Sequence, residues 1–272
     1  MSSAKLGPLE LLLAALATGL VAFVGRETVR TWRHEVALEQ AALEAAAQNH
    51  EAHQFSATRD VSTSSRARRT GAVQPAPGAD LARARIAEFG AGTYIQDLVR
   101  GQDSALYRWS DRTIETLRVW VQPRANLHDW HPAFVGIARE AFPEWGAAGF
   151  PVRFTFVLDS LTADVRVIWV QRFPAADGQR VGRADRHSDG AGWIRRADLF
   201  VAVHDSAGRP IPEEWIAAIA RHEVGHALGL GHTRDSTAIM FPTSRTSTIS
   251  DADRATLRLL YTLPPGSLRA RD

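Results

Sequence analysis

His222-Glu223-Val224-Gly225-His226-Ala227-Leu228-Gly229-Leu230-Gly231-His232 (HEVGHALGLGH) is the stretch on which the reading of this 272-residue chain turns. Its first half falls in a helix predicted over 212–228, so His222 and His226 face the same way one turn apart. Two imidazoles at that separation can share one zinc ion. Gly229 lacks a Cβ and can take the left-handed conformation that ends a helix and reverses the chain. His232 then swings back to the metal. Three protein ligands leave the fourth position to water, as a catalytic zinc needs and a structural zinc lacks. Glu223 lies beside the metal without being placed to bind it. It can take a proton from the bound water and pass it to a departing amine, while the zinc polarises the scissile carbonyl. Two blander readings stay open on the residues alone: three satisfied histidines, or a zinc site without catalysis. A purely structural site has no use for Glu223.

Upstream, a helix is predicted over 81–89, ended by Gly90 and Gly92. Strands are predicted over 116–122, 152–158, 163–170 and about 197–203, with a helix over 132–147 in which Pro143 is a flaw. Residues 172–196 read as a loop. Downstream, a last helix spans roughly 251–261, with Ser250 as its N-cap and Asp253 as the acidic partner of a capping box. The strands are joined by helices and loops and precede one well-marked helix, so the class is α+β. The division is a catalytic domain over 111–265, a lead-in or prosegment-like region over 81–110, and a tail over 266–272.

The run HEVGHALGLGH resembles the extended zinc signature of the metzincin metallopeptidases. Ala238-Ile239-Met240-Phe241-Pro242 looks like the Met-turn of that clan. The likeness is closest to the matrixin branch, where a Pro follows the turn and the last helix ends in a Leu-Tyr pair, as Leu260-Tyr261 does here. It covers roughly 107–264, strongly after Pro212 and in outline before it. The resemblance implies a zincin domain, with a twisted mixed sheet above the active-site helix and a small C-terminal subdomain below the cleft. It implies a zinc endopeptidase acting on protein or peptide, with His222, His226 and His232 as ligands and Glu223 as base. Substrate would lie extended along an edge strand, here about 197–203. Met240 would be a hydrophobic floor, and Phe241 and Pro242 would wall the pocket beyond the scissile bond. Matrixins also carry a second, structural Zn2+ and Ca2+ before the edge strand, where His187, Asp189 and the nearby His204 are the candidates. Thr233 retains a hydroxyl where Ser is common in this branch. His128 and His131 fall in a predicted loop and read as surface residues. The alternative function, from another class, is a non-catalytic, membrane-anchored peptide-binding module on the same fold.

An apolar fraction of 45% and a charged fraction of 23% are those of a globular protein. Net charge is +2 and the basic residues are scattered, which speaks against nucleic acid as a partner. The chain has no cysteine, so disulfides, thiolate metal sites and latency through a propeptide cysteine are all excluded. Residues 6–25 are an apolar run (LGPLELLLAALATGLVAFVG) long enough to span a bilayer. An uncleaved membrane anchor over 1–25, a cleaved signal peptide and a buried helix all fit it. A helical stalk is expected over 26–55 and a disordered, Ser/Thr/Arg/Pro-rich linker over 56–80. The function favours an extracytoplasmic, membrane-anchored domain, or a secreted one after cleavage. Flanking positive charges lean mildly the other way.

Overall fold

The computed structural model describes residues 73–269, apart from 178, 244 and 245. The anchor, the stalk and most of the linker lie outside the described residues. Among those described, no helix is long and apolar enough to cross a membrane.

Two short helices, α1 (Ala79–Phe89) and α2 (Ile95–Gly101), lead into strand β1 (Ala105–Leu106) and the long strand β2 (Arg112–Val121). Helix α3 (Ala133–Gly146) follows, then β3 (Val152–Phe156), β4 (Val165–Val170), β5 (Gly182–Ser188) and β6 (Ile194–Ala202). Helices α4 (Glu213–Ala227) and α5 (Asp251–Thr262) and strand β7 (Gly266–Ser267) complete the chain. Five strands form one mixed sheet in the order β3-β2-β4-β6-β5. All its pairs are parallel except β5–β6. The α+β class and the mixed sheet stand as expected.

The pattern of β4 explains its central place. Val165, Val167 and Trp169 are buried while Arg166, Ile168 and Val170 are only partly so, the alternation of a strand covered more fully on one face. Helix α3 buries Phe134, Ala138, Ala141, Phe142 and Trp145, one helical stripe, against α4 and the sheet. Pro143 does not break it. Proline removes one N–H donor, and the packed stripe on either side holds the turn together. Trp145 is fully buried and its Nε1 donates to the Arg221 carbonyl at 2.8 Å. Replacing it with Ala would cost about 3–5 kcal/mol.

One expectation is corrected, and the packing of the lead-in and of the C-terminal residues can be described beside it. The edge strand is β5, not 197–203: β6 lies inside the sheet between β4 and β5. The sequence of β5, GRADRHS, carries no apolar alternation, because one of its edges is unpaired and its faces are only half covered, so it read as loop. The lead-in packs into the body of the domain. The described residues belong to one compact unit, in which Tyr94 Oη donates to the fully buried Asp253 and Tyr94 N donates to Thr256 Oγ1. In the C-terminal segment, β7 pairs with β1, and Ser267 exchanges backbone hydrogen bonds with Gln74 and Ala76. The capping box of α5 forms as read: Ser250 accepts from Asp253 N, and the Asp253 carboxylate accepts from Ser250 N.

Candidate metal centre and cleft

Helix α4 runs beneath the sheet and buries His222, Glu223 and Gly225 on its inner side. It stops at Gly229, whose φ of 109° is open to glycine but strained for other residues. A Cβ there would also meet the Tyr107 carbonyl at 2.2 Å. The three carbonyls left bare at the helix end each find a side-chain donor. Trp109 Nε1 donates to Ala227 O at 2.8 Å, Tyr261 Oη to Leu228 O at 3.1 Å, and Gln102 Nε2 to Gly229 O at 3.1 Å. Orphan carbonyls at a buried helix end must be satisfied, and here the donors come from three separate parts of the chain. From α2, Asp97 accepts from Arg234 N and, at 3.4 Å, from the Thr233 hydroxyl. The turn that carries His232 is therefore held from both ends.

The histidines meet as the spacing requires. His232 Nε2 lies 3.3 Å from His222 Nε2 and 3.2 Å from His226 Nε2. His222 Nδ1 lies 2.7 Å from the Ile239 carbonyl, and His226 Nδ1 lies 2.9 Å from the Leu230 carbonyl. A carbonyl only accepts, so each Nδ1 carries the proton and each Nε2 turns a lone pair inward. Burial pushes His222 down to about 4 and His226 well below the ordinary histidine range, and it also lowers His232. Three neutral nitrogens pointing at one spot repel unless a cation lies between them. Tetrahedral zinc with bonds of about 2.0–2.1 Å sets its ligands about 3.3–3.4 Å apart, and the observed spacings fit.

Glu223 stands alongside. Burial pushes its carboxyl up to about 8, and its Oε2 is buried with no hydrogen-bond partner. Its Oε1 faces Gly182 of β5, where a Cβ would approach to 2.2 Å. Met240 is fully buried beneath the centre, its sulfur 2.4 Å from where a Cβ on Gly225 would stand. A cleft of about 1010 Å³ opens over these groups, walled among others by Val181, Gly182, Ile219, Pro212, Pro242 and Thr243. Pro242 is among the residues that line it. Phe241 is half-buried and does not.

The second metal set read from the sequence does not assemble. His187 faces Asp198 at 3.6 Å. Asp189 accepts from Ala191 N, Trp193 N and Arg195 within its own turn. His204 lies instead with His128 and Asp129, the second of two groups among the described residues whose ligand atoms converge. Neither group is built of the oxygen donors that calcium takes. In this second group Asp129 Oδ2 lies 2.7 Å from His128 Nδ1 and 2.9 Å from His204 Nε2. Gln171 Oε1 accepts from His128 N at 3.0 Å, which turns its amide nitrogen to His204 Nδ1 at 2.5 Å. That ring nitrogen must accept, so Nε2 carries the proton and donates to Asp129. The group closes as a hydrogen-bonded network.

With this geometry in place, the relatives are informative. A family model described as Matrixin matches residues 108–262, more than half of the chain. The chain belongs to the matrixin family. Metalloendoproteinase 1 of Glycine max is 27% identical over 169 residues, covering 58% of this chain and 54% of that protein. Metalloendoproteinase 1-MMP of Arabidopsis thaliana is 29% identical over 122 residues, 41% of this chain and 32% of the relative. The chain thus spans about half or less of the length of these relatives. The matrixin match begins after α1, α2 and β1, so Asp97 and Gln102 lie outside the matched residues. The reading of the sequence missed both, along with Gly182. Their partners lie far along the chain, and nothing in the neighbouring sequence marks any of the three.

Proposed function

We propose that the protein is a zinc-dependent endopeptidase, with His222, His226 and His232 as metal ligands and Glu223 as general base. The observation that carries this is the convergence of three inward Nε2 atoms at 3.2–3.3 Å beside a buried carboxyl with an unpartnered oxygen. Bound there, zinc would supply Lewis acidity towards the scissile carbonyl and lower the pKa of a water at its open position. Glu223 takes the proton at Oε2 and delivers it to the departing amine. With zinc bound beside it, the cation's field opposes the effect of burial and favours the charged carboxylate, the form that accepts a proton. The unpaired edge of β5 offers backbone N–H and C=O groups to an extended peptide, which joins the sheet as a further strand. Gly182 lets β5 itself lie close against Glu223. Met240 floors the centre, and Pro242 walls the pocket beyond it.

Substituting Glu223→Ala tests this directly. Zinc content should stay at one per chain while kcat on a mixed peptide library falls about 10²- to 10⁴-fold. Unchanged turnover would sink the mechanism. Zinc bound to the wild-type chain without cleavage of any peptide would favour a peptide-binding module. Localisation follows residues 6–25: a membrane-anchored, extracytoplasmic domain, or a secreted one if that segment is removed. Membrane fractionation with protease protection distinguishes these.

A further inference from the structure

The cleft wall carries four arginines, and three of them have carboxylate neighbours. Arg209 pairs with Asp205 at 2.7 Å, Arg183 with Asp185 at 3.0 Å, and Arg180 stands 3.9 Å from Asp177. Arg186 is different. It lines the cleft, yet its side chain makes no hydrogen bond or ion pair with any other described residue, and its Nη1 is buried without a partner. Its guanidinium stands 5.7 Å from the centre of the Tyr107 ring, a contact that orients the group without neutralising it. Burying a charge without a counter-charge is unfavourable, and such a group in a binding cleft is poised for an anion from outside.

Its place on the strand says where that anion would sit. Gly182, Ala184 and Arg186 share one face of β5 because side chains alternate along a strand. Gly182 abuts Glu223. Arg186 is four residues further along, about 13 Å at the usual rise per residue. An extended peptide lying along β5 with its cut at Glu223 would bring a side chain two to four residues from that cut to Arg186. The planar fork of a guanidinium binds carboxylate by two parallel hydrogen bonds.

We propose that Arg186 determines specificity, and that the cleft selects peptides with an Asp or Glu side chain two to four residues to one side of the cleaved bond. This rests on the endopeptidase reading given above. The test has two arms. In the first, the full zinc-loaded chain and its Arg186→Gln variant cleave a peptide library with amidated and with free C-termini. Wild type should enrich Asp and Glu at one fixed position, whichever terminus the peptide carries. Arg186→Gln should lower kcat/KM for the acidic peptide about ten- to a hundredfold, the range for losing a hydrogen bond to a charged group. It should leave the matched Gln-containing peptide within about twofold, and Arg186→Lys should restore part of the loss. In the second arm, zinc-loaded Glu223→Ala binds fluorescent acidic and neutral peptides without turnover. Tighter binding of the acidic peptide, lost in the double variant with Arg186→Gln, supports the inference even where nothing is cut, in which case only the catalytic reading falls. Cleavage without acidic preference, a preference that survives Arg186→Gln, or enrichment only with free C-termini would overturn it.

Discussion

Two histidine clusters in this molecule look alike in composition and differ in what lies at their centre. In His222/His226/His232 the inward atoms are all ring nitrogens, with the Nδ1 protons of His222 and His226 turned outward onto carbonyls. In His128/Asp129/His204 a carboxylate oxygen lies between the rings and accepts from both. The first set is electrostatically unfinished without a cation, whereas the second is complete with the protons it has. Proximity of ligand atoms therefore does not by itself make a metal site. The direction of the lone pairs, fixed by the outer hydrogen bonds, decides.

The sharpest way to break the comparison is to remove one member of each set and count zinc. His226→Ala should drop bound zinc from one per chain towards none and abolish peptidase activity, the largest effect expected here. His128→Ala should leave zinc at one per chain and activity within about twofold, because the exposed ring only donates to Asp129. Two zinc ions in the wild-type chain, one of them lost with His128, would overturn our reading of the second cluster; metal analysis of the three proteins answers this. Asp129→Ala takes more away, since the buried His204 Nε2–H is then left without an acceptor. Thermal or urea unfolding should record a lower midpoint than for His128→Ala, with zinc content unchanged.

What the sequence discloses follows the same division between local and distant. The first cluster is written within eleven residues, where helical spacing and one glycine suffice to bring the ligands together. The capping box of α5 is equally local and equally legible. The second cluster joins positions 75 apart, and nothing near His204 points to Asp129. The edge strand was hidden because GRADRHS pairs on one side only and needs no apolar face. Gln102 was hidden because its partner, Gly229, is 127 positions away. That contact gives a further prediction for the first cluster. Gln102→Ala leaves the Gly229 carbonyl unsatisfied at the base of the His232 turn, so zinc affinity should fall about tenfold, the lower range for loss of an outer-shell partner. Competition with a chelator measures it. An unchanged affinity would mean that Trp109 and Tyr261 hold the helix end unaided.

The smallest expected effect concerns acid. Burial works against the Asp129 charge, but the hydrogen bonds from His128 and His204 outweigh it and hold the carboxyl below the ordinary aspartate value. A carboxyl whose pKa is lowered by folding releases its proton more readily in the folded chain than in the unfolded one. The unfolded chain therefore binds more protons as the pH falls below about 3.9. The stability that Asp129 contributes is fully present above that value and is lost as the pH drops through its folded pKa. The unfolding midpoints of wild type and Asp129→Ala should thus differ by a constant amount between pH 7 and 5 and converge below about pH 4. A gap that persists in stronger acid would mean that packing of the Asp129 side chain, and not its charge between two rings, holds the second cluster together.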